Sequence, residues 1–212
     1  MALILGLDVS TSCTGVCVVD PTVPPDEKGS HILLLDSIEF KGCKTLWNKA
    51  DVVNAYLTGL VHRGIPREVA QISPEPIVFS GDVRVVLEEP LMGFRPGMSS
   101  ALTISTLMRF NGIVSYIARN VFGAEPEYIG SAHARKLCGI KLQRTSLGGP
   151  QKEQVFAHMA IHDLKHVAWP LKKSGKMVDW SRDACDAYVI ARAATVNGPV
   201  LPPVKPSKKK TK

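Results

Sequence analysis

The stretch Leu3-Ile4-Leu5-Gly6-Leu7-Asp8-Val9, then Ser10-Thr11-Ser12-Cys13 and Thr14-Gly15-Val16-Cys17-Val18-Val19-Asp20, predicts two short strands joined by a tight turn. Its oddity is Asp8, a carboxylate set inside an apolar run. Working outward, residues 21–29 are rich in Pro, Asp and Gly and read as a loop, and 31–40 supply a third strand. Leu46, Val53, Leu57 and Leu60 recur at helical spacing across 45–62. Three prolines make 64–82 an irregular insertion. Residues 83–88 read as a buried strand ending on an acid. A helix over 99–121 has Ser99 and Ser100 as cap candidates and carries Leu102, Leu107, Phe110 and Ile117. A strand at 127–130, a short helix at 131–138, a glycine-rich basic loop at 139–150 and helices at 151–167 and 182–195 complete the order. Three antiparallel strands followed by strand–helix alternation predict an α/β fold, a mixed five-stranded sheet with helices on both faces. The expected organisation is one domain over 1–198 and a disordered Lys/Pro-rich tail over 199–212.

Bulk properties bound the function classes. The chain has 212 residues, 45% hydrophobic and 21% charged, ordinary values for a soluble globular protein. No apolar run approaches the roughly 20 residues of a membrane helix. The first residues enter a strand without the basic region of a signal peptide, so an intracellular, soluble protein is expected. Five cysteines (13, 17, 43, 138 and 185) form no Cys-x-x-Cys and read as reduced thiols. The net charge is +7, unevenly spread. The tail 199–212 holds five lysines and no acid, and 131–176 holds nine basic side chains against Glu153 and Asp163. The rest of the chain is acidic on balance. A basic region on an acidic body suits a polyanion gripped on one side.

Four acids stand out by position. Asp8 ends the first strand, Glu88 ends the fourth after Val85-Val86-Leu87, and Asp183 and Asp186 lie three apart in the first turn of the last helix. Carboxylates in apolar surroundings are costly unless paired or bound to a cation. Gathering them would raise their pKa values unless a metal neutralised them. Hard oxygen donors favour Mg²⁺, with Mn²⁺ able to substitute. Two such ions about 4 Å apart activate a water and stabilise the leaving oxygen of a phosphodiester.

Three motifs carry a resemblance. Leu5-Gly6-Leu7-Asp8-Val9-Ser10 with Thr14-Gly15, then Val85-Val86-Leu87-Glu88-Glu89, then Asp183-Ala184-Cys185-Asp186-Ala187-Tyr188-Val189-Ile190-Ala191 occur in the order seen in RuvC-type Holliday-junction resolvases. The resemblance runs over about 3–195. It implies an RNase H-like fold, Asp8, Glu88, Asp183 and Asp186 as metal ligands and catalytic residues, and two Mg²⁺ ions with no organic cofactor. Glu89 is a second choice, since alternation turns it away from Glu88. It further implies a catalytic cation ahead of the last helix, for which Lys152 is suited. A homodimer acting on four-way DNA junctions in recombination and repair follows in the same way. An apolar wedge past the second motif falls on Leu91–Gly97, where Met92, Phe94 and Arg95 would contact DNA. Arg135, Lys136, Lys141, Arg144 and Lys152 would hold phosphates.

Rival readings keep the fold: a nuclease for RNA or for flap or Y-fork DNA, or a nucleic-acid-binding protein without catalysis. Asp8-x-Ser-x-x-x-x-Gly15 also resembles the first phosphate loop of actin-like sugar and acetate kinases, but this chain has a single copy of the fold and no second glycine-rich phosphate motif. His158, His162 and His166 recur every four residues in the expected 151–167 helix and read as a polar stripe rather than a zinc site.

Overall fold

Alternation along the first strand decides which side of the sheet each residue serves. In β1 (Leu3–Val9), Leu5, Leu7 and Val9 join one apolar layer, while Ile4 joins the other and Gly6 meets the last helix. Asp8 falls on that second side. The protein is described here by a computed structural model covering residues 2–26, 28–64, 79, 82–90, 100–175 and 177–196. Most of 64–82 and the tail 199–212 lie outside the described residues.

Among the described residues, β1 pairs antiparallel with β2 (Cys13–Val19), and β2 with β3 (Ile32–Glu39). On its other edge β1 pairs parallel with β4 (Val83–Glu88), which pairs parallel with β5 (Glu127–Ile129). The sheet order is β3-β2-β1-β4-β5. This is the expected mixed five-stranded sheet.

Two helices cover one face. In α1 (Leu46–Arg63), Thr45 Oγ1 accepts the Asn48 N–H at 3.1 Å as N-cap, and Ala50, Val53, Leu57 and Leu60 point inward. In α2 (Ala101–Phe122), Ser100 caps the start, and Phe110, Val114 and Ala118 reach the core. Leu102, expected among the inward residues, is 76% exposed; it precedes the part of α2 that meets the sheet.

The other face belongs to α6 (Trp180–Val196), which packs across β1, β2, β3 and β4 with Ala187, Tyr188, Ile190 and Ala191 buried. Its approach is close because glycines lie beneath it. A Cβ on Gly6 would stand 2.5 Å from the Ala187 carbonyl oxygen, and one on Gly15 would overlap the Asp183 carbonyl. Around α6 lie α3 (Ser131–Leu137) and α5 (Gln151–Ile161). The one-turn α4 (Thr145–Gly148) was not expected; its glycines and polar residues carry no apolar period.

Two boundaries differ from expectation. α5 ends at Ile161 rather than 167: His162 leaves helical geometry at φ −98°, ψ −95°, and the chain turns to bury Leu164. The histidine stripe is therefore broken. The rings of His158 and His162 are 4.4 Å apart, but His166 lies beyond the helix against Gly29. α6 starts at Trp180, so Asp183 occupies its first turn and Asp186 the next. All five cysteines are free thiols, and no helix among the described residues is long and apolar enough to cross a membrane.

Candidate active site

Strand register brings the first two acids level. Leu7 of β1 is the parallel partner of Leu87 in β4, so Asp8 and Glu88 follow at the same sheet end, facing α6. Asn111 of α2 donates its amide to the Glu88 carbonyl at 3.3 Å and holds that strand end. Across the other ladder Asp8 is opposite Gly15, whose missing side chain lets the Asp183 backbone settle there. The first turn of α6 is thereby seated over Asp8.

A lysine stands where the aspartates meet. Lys152 Nζ, in the first turn of α5, is 2.7 Å from Asp183 Oδ1, 3.4 Å from Asp186 Oδ2 and 3.8 Å from Asp8 Oδ2. The neighbouring Arg182–Glu153 ion pair, at 2.6 Å, fastens the same two helix starts together. Asp8 and Asp186 are 7% and 9% exposed, whereas the Lys152 side chain is about half exposed at 49%.

Burial pushes Asp8 well above the usual carboxylate range, and repulsion from Asp186, Glu88 and Asp183 adds to it against the pull of Lys152. Burial raises Asp186 as well; Lys152 and Arg135 oppose the rise and Glu88 reinforces it. Burial also works against the Lys152 ammonium, but Asp8, Asp186 and the hydrogen bond to Asp183 outweigh it and hold that pKa above the ordinary lysine value. One cation thus faces more negative charge than it can balance.

That excess, in an all-oxygen donor set, fits a hard divalent cation such as Mg²⁺. Among the described residues, however, no group of three or more His, Cys, Asp or Glu is arrayed as a metal-ligand cluster; the aspartates are turned onto Lys152. The residues able to hold a metal are Asp8, Glu88, Asp183 and Asp186. Glu89 is exposed, and its backbone N–H bonds the Ile129 carbonyl at 2.9 Å.

The expected nucleic-acid contacts divide into two groups. Arg135 lies close enough to lower Asp186, and its guanidinium donates to Gln151 Oε1 at 3.4 Å. Lys136, Lys141 and Arg144 are exposed on α3 and the loop beyond it. Met92, Phe94 and Arg95 lie outside the described residues. One neighbour escaped notice in the sequence. Cys13 opens β2 on the side of Asp8, and burial pushes its thiol up to about 12, with Ser37 lowering it and Asp183 and Asp8 raising it. Period-two alternation, applied to β2 as to β1, would have placed it there.

No protein-family model matches the chain, and neither does any curated protein. Solved structures do. RuvC from Thermus thermophilus in complex with a Holliday junction substrate aligns over 92% of this chain and 94% of its own, at 14% identity and a TM-score of 0.54. A second structure of Thermus thermophilus RuvC aligns over 92% and 93%, at 16% identity and a TM-score of 0.51.

Proposed function

We propose that this chain, which has the RNase H-like fold of RuvC resolvases, is a metal-dependent endonuclease that resolves four-way DNA junctions. The observation that carries the reading is the convergence of Asp8, Asp183 and Asp186 on Lys152, with Glu88 level beside Asp8. A purely structural cluster has little reason to bury two carboxylates with their pKa values raised; strongly perturbed acids mark working sites more often than scaffolding. That the similar RuvC structure holds a Holliday junction favours branched DNA as substrate.

Asp8, Glu88, Asp183 and Asp186 would hold Mg²⁺, with Mn²⁺ as substitute and two ions per site. The bound metal supplies a water of lowered pKa and positive charge beside the scissile phosphate. The chain's own residues do the rest. Asp8 and Glu88 sit on paired strands and are rigidly placed; Asp183 and Asp186 arrive on the first turns of a helix that glycines let approach. Lys152, half exposed, can turn its ammonium to a phosphate and stabilise charge that builds there. Arg135, Lys136, Lys141 and Arg144 provide the phosphate grip. A two-fold homodimer would set two such sites against opposed strands of one junction.

The test is a cleavage panel in Mg²⁺ with a four-way junction, a flap, a Y-fork, an RNA hairpin and linear duplex. Paired nicks in the junction, and loss of cutting with retained junction binding for Asp8→Asn, are expected. Normal cutting by Asp8→Asn would defeat the assignment. Preference for the flap, the Y-fork or RNA would keep the chemistry and replace the substrate.

A further inference from the structure

Trp47, in the first turn of α1, is 71% exposed. Tryptophan is rarely left so far in water, because its ring has the most apolar surface to gain by burial. Its surroundings are polar: Lys44, Thr45, Asn48 and Asp51 are exposed around it, and Ala50 behind it is buried. Lys44 has no ion-pair partner among the described residues, whereas Lys41 pairs with Glu39 at 3.0 Å. The first turn of α1 contains no acid, so the positive end of the helix dipole is not offset there.

The patch adjoins the catalytic end of the sheet. Lys49 donates to the Thr11 carbonyl at 2.6 Å, pinning the start of α1 to the turn that follows Asp8. The Phe40 N–H bonds the Ser12 carbonyl of the same turn at 3.3 Å, fastening the loop that leads into α1. Lys41, on that loop, lies close enough to the start of α6 to help lower Asp179, behind the hydrogen bond from Lys172.

We propose that Trp47 and Lys44 form a second DNA contact, an aromatic platform on which an unpaired or splayed base stacks while the lysine takes a neighbouring phosphate. Lys44 and Trp47 are both exposed and three positions apart, and an exposed ring near a cation is the combination by which proteins hold single-stranded nucleic acid without reading its sequence. A protein partner would find no apolar surround to seal such a ring, as interface hot spots need. The proposal rests on the nuclease reading, because its ligand is the DNA that the carboxylates would cut.

Binding of a fluorescently labelled four-way DNA junction by the full chain tests it, in an Asp8→Asn background that does not cut. Adding Trp47→Ala should weaken binding about 10-fold, within the range of one lost base stack, while Trp47→Phe keeps most of the affinity. Lys44→Ala should lower the salt slope of binding by about 1. Thermal midpoint and sedimentation behaviour should stay at the parent's values. Unchanged junction affinity in Trp47→Ala overturns the platform and leaves the nuclease reading standing. An altered oligomeric state in that variant also overturns it, and assigns the ring to contact between copies. Absence of junction binding by the parent removes both proposals.

Discussion

Asp8 spends folding energy at neutral pH. Its pKa in the folded chain lies above the unfolded value, so folding favours the protonated carboxyl. The stability it lends is full below the ordinary carboxylate range and is lost as pH rises through the raised value. Asp8→Asn should therefore raise the thermal midpoint at pH 7 in EDTA by about 2–4 °C, the scale of roughly 1 kcal/mol in a chain of this size. The gain should shrink in acid, where the wild-type carboxyl is already neutral. Calorimetry at pH 7 and at pH 4 would test this, and an equal gain at both would refute it. Lys152 faces the opposite balance, since three aspartates hold its charge. Lys152→Ala should slow cleavage by about 10²–10³-fold, the loss expected for one stabilising donor, with Lys152→Arg intermediate in single-turnover assays. Asp8 was legible from sequence because an acid inside an apolar strand opens a series of three acidic motifs, and the series says more than the one residue. Its meeting with Lys152 was expected only through the resemblance, since local residues do not encode a contact between side chains so far apart in the chain.

At the scale of elements, the site depends on how closely α6 lies to the sheet. Gly15→Ala must push the Asp183 backbone away. It should destabilise by about 1–3 kcal/mol, as overpacking does. It should also cut turnover by about 10²-fold, because a shift near 1 Å at a reacting group costs that much. Urea melts paired with cleavage rates read both. Deeper along α6, Tyr188 donates to Asp163 Oδ2 at 2.9 Å and meets His31 Nε2 at 2.8 Å, and Arg192 lies 3.5 Å from the same carboxylate. Tyr188→Phe strands His31 and takes one hydrogen bond from Asp163, which keeps Arg192, and should cost about 1–3 kcal/mol by denaturant unfolding. The aspartates keep their place in that variant, so cleavage well below the unfolding temperature should change little. Strands and capped helices were readable because a period of two or 3.6 and a capping hydroxyl are local signals. The end of α5 was not. The helical period runs through His166, yet burying Leu164 turns the chain after Ile161.

At the scale of the whole molecule, Asp8, Glu88, Asp183 and Asp186 draw together at one end of the sheet among the described residues, with Lys152 and Arg135 against them. Because the carboxylates repel one another, Mg²⁺ should raise the thermal midpoint of the wild type. Asp8→Asn should respond less, and an equal response would place the metal elsewhere. The sequence by itself determined the order of the strands and of the helices other than α4, and it singled out the four acids by their positions. Those properties follow from neighbours within a few positions. Tertiary structure alone decided that Asp8 and Glu88 stand level, that Gly15 admits the Asp183 backbone and that Lys152 closes the group. Each of these depends on strand register or on contact between elements dozens of residues apart, and such contacts are settled only when the whole core packs.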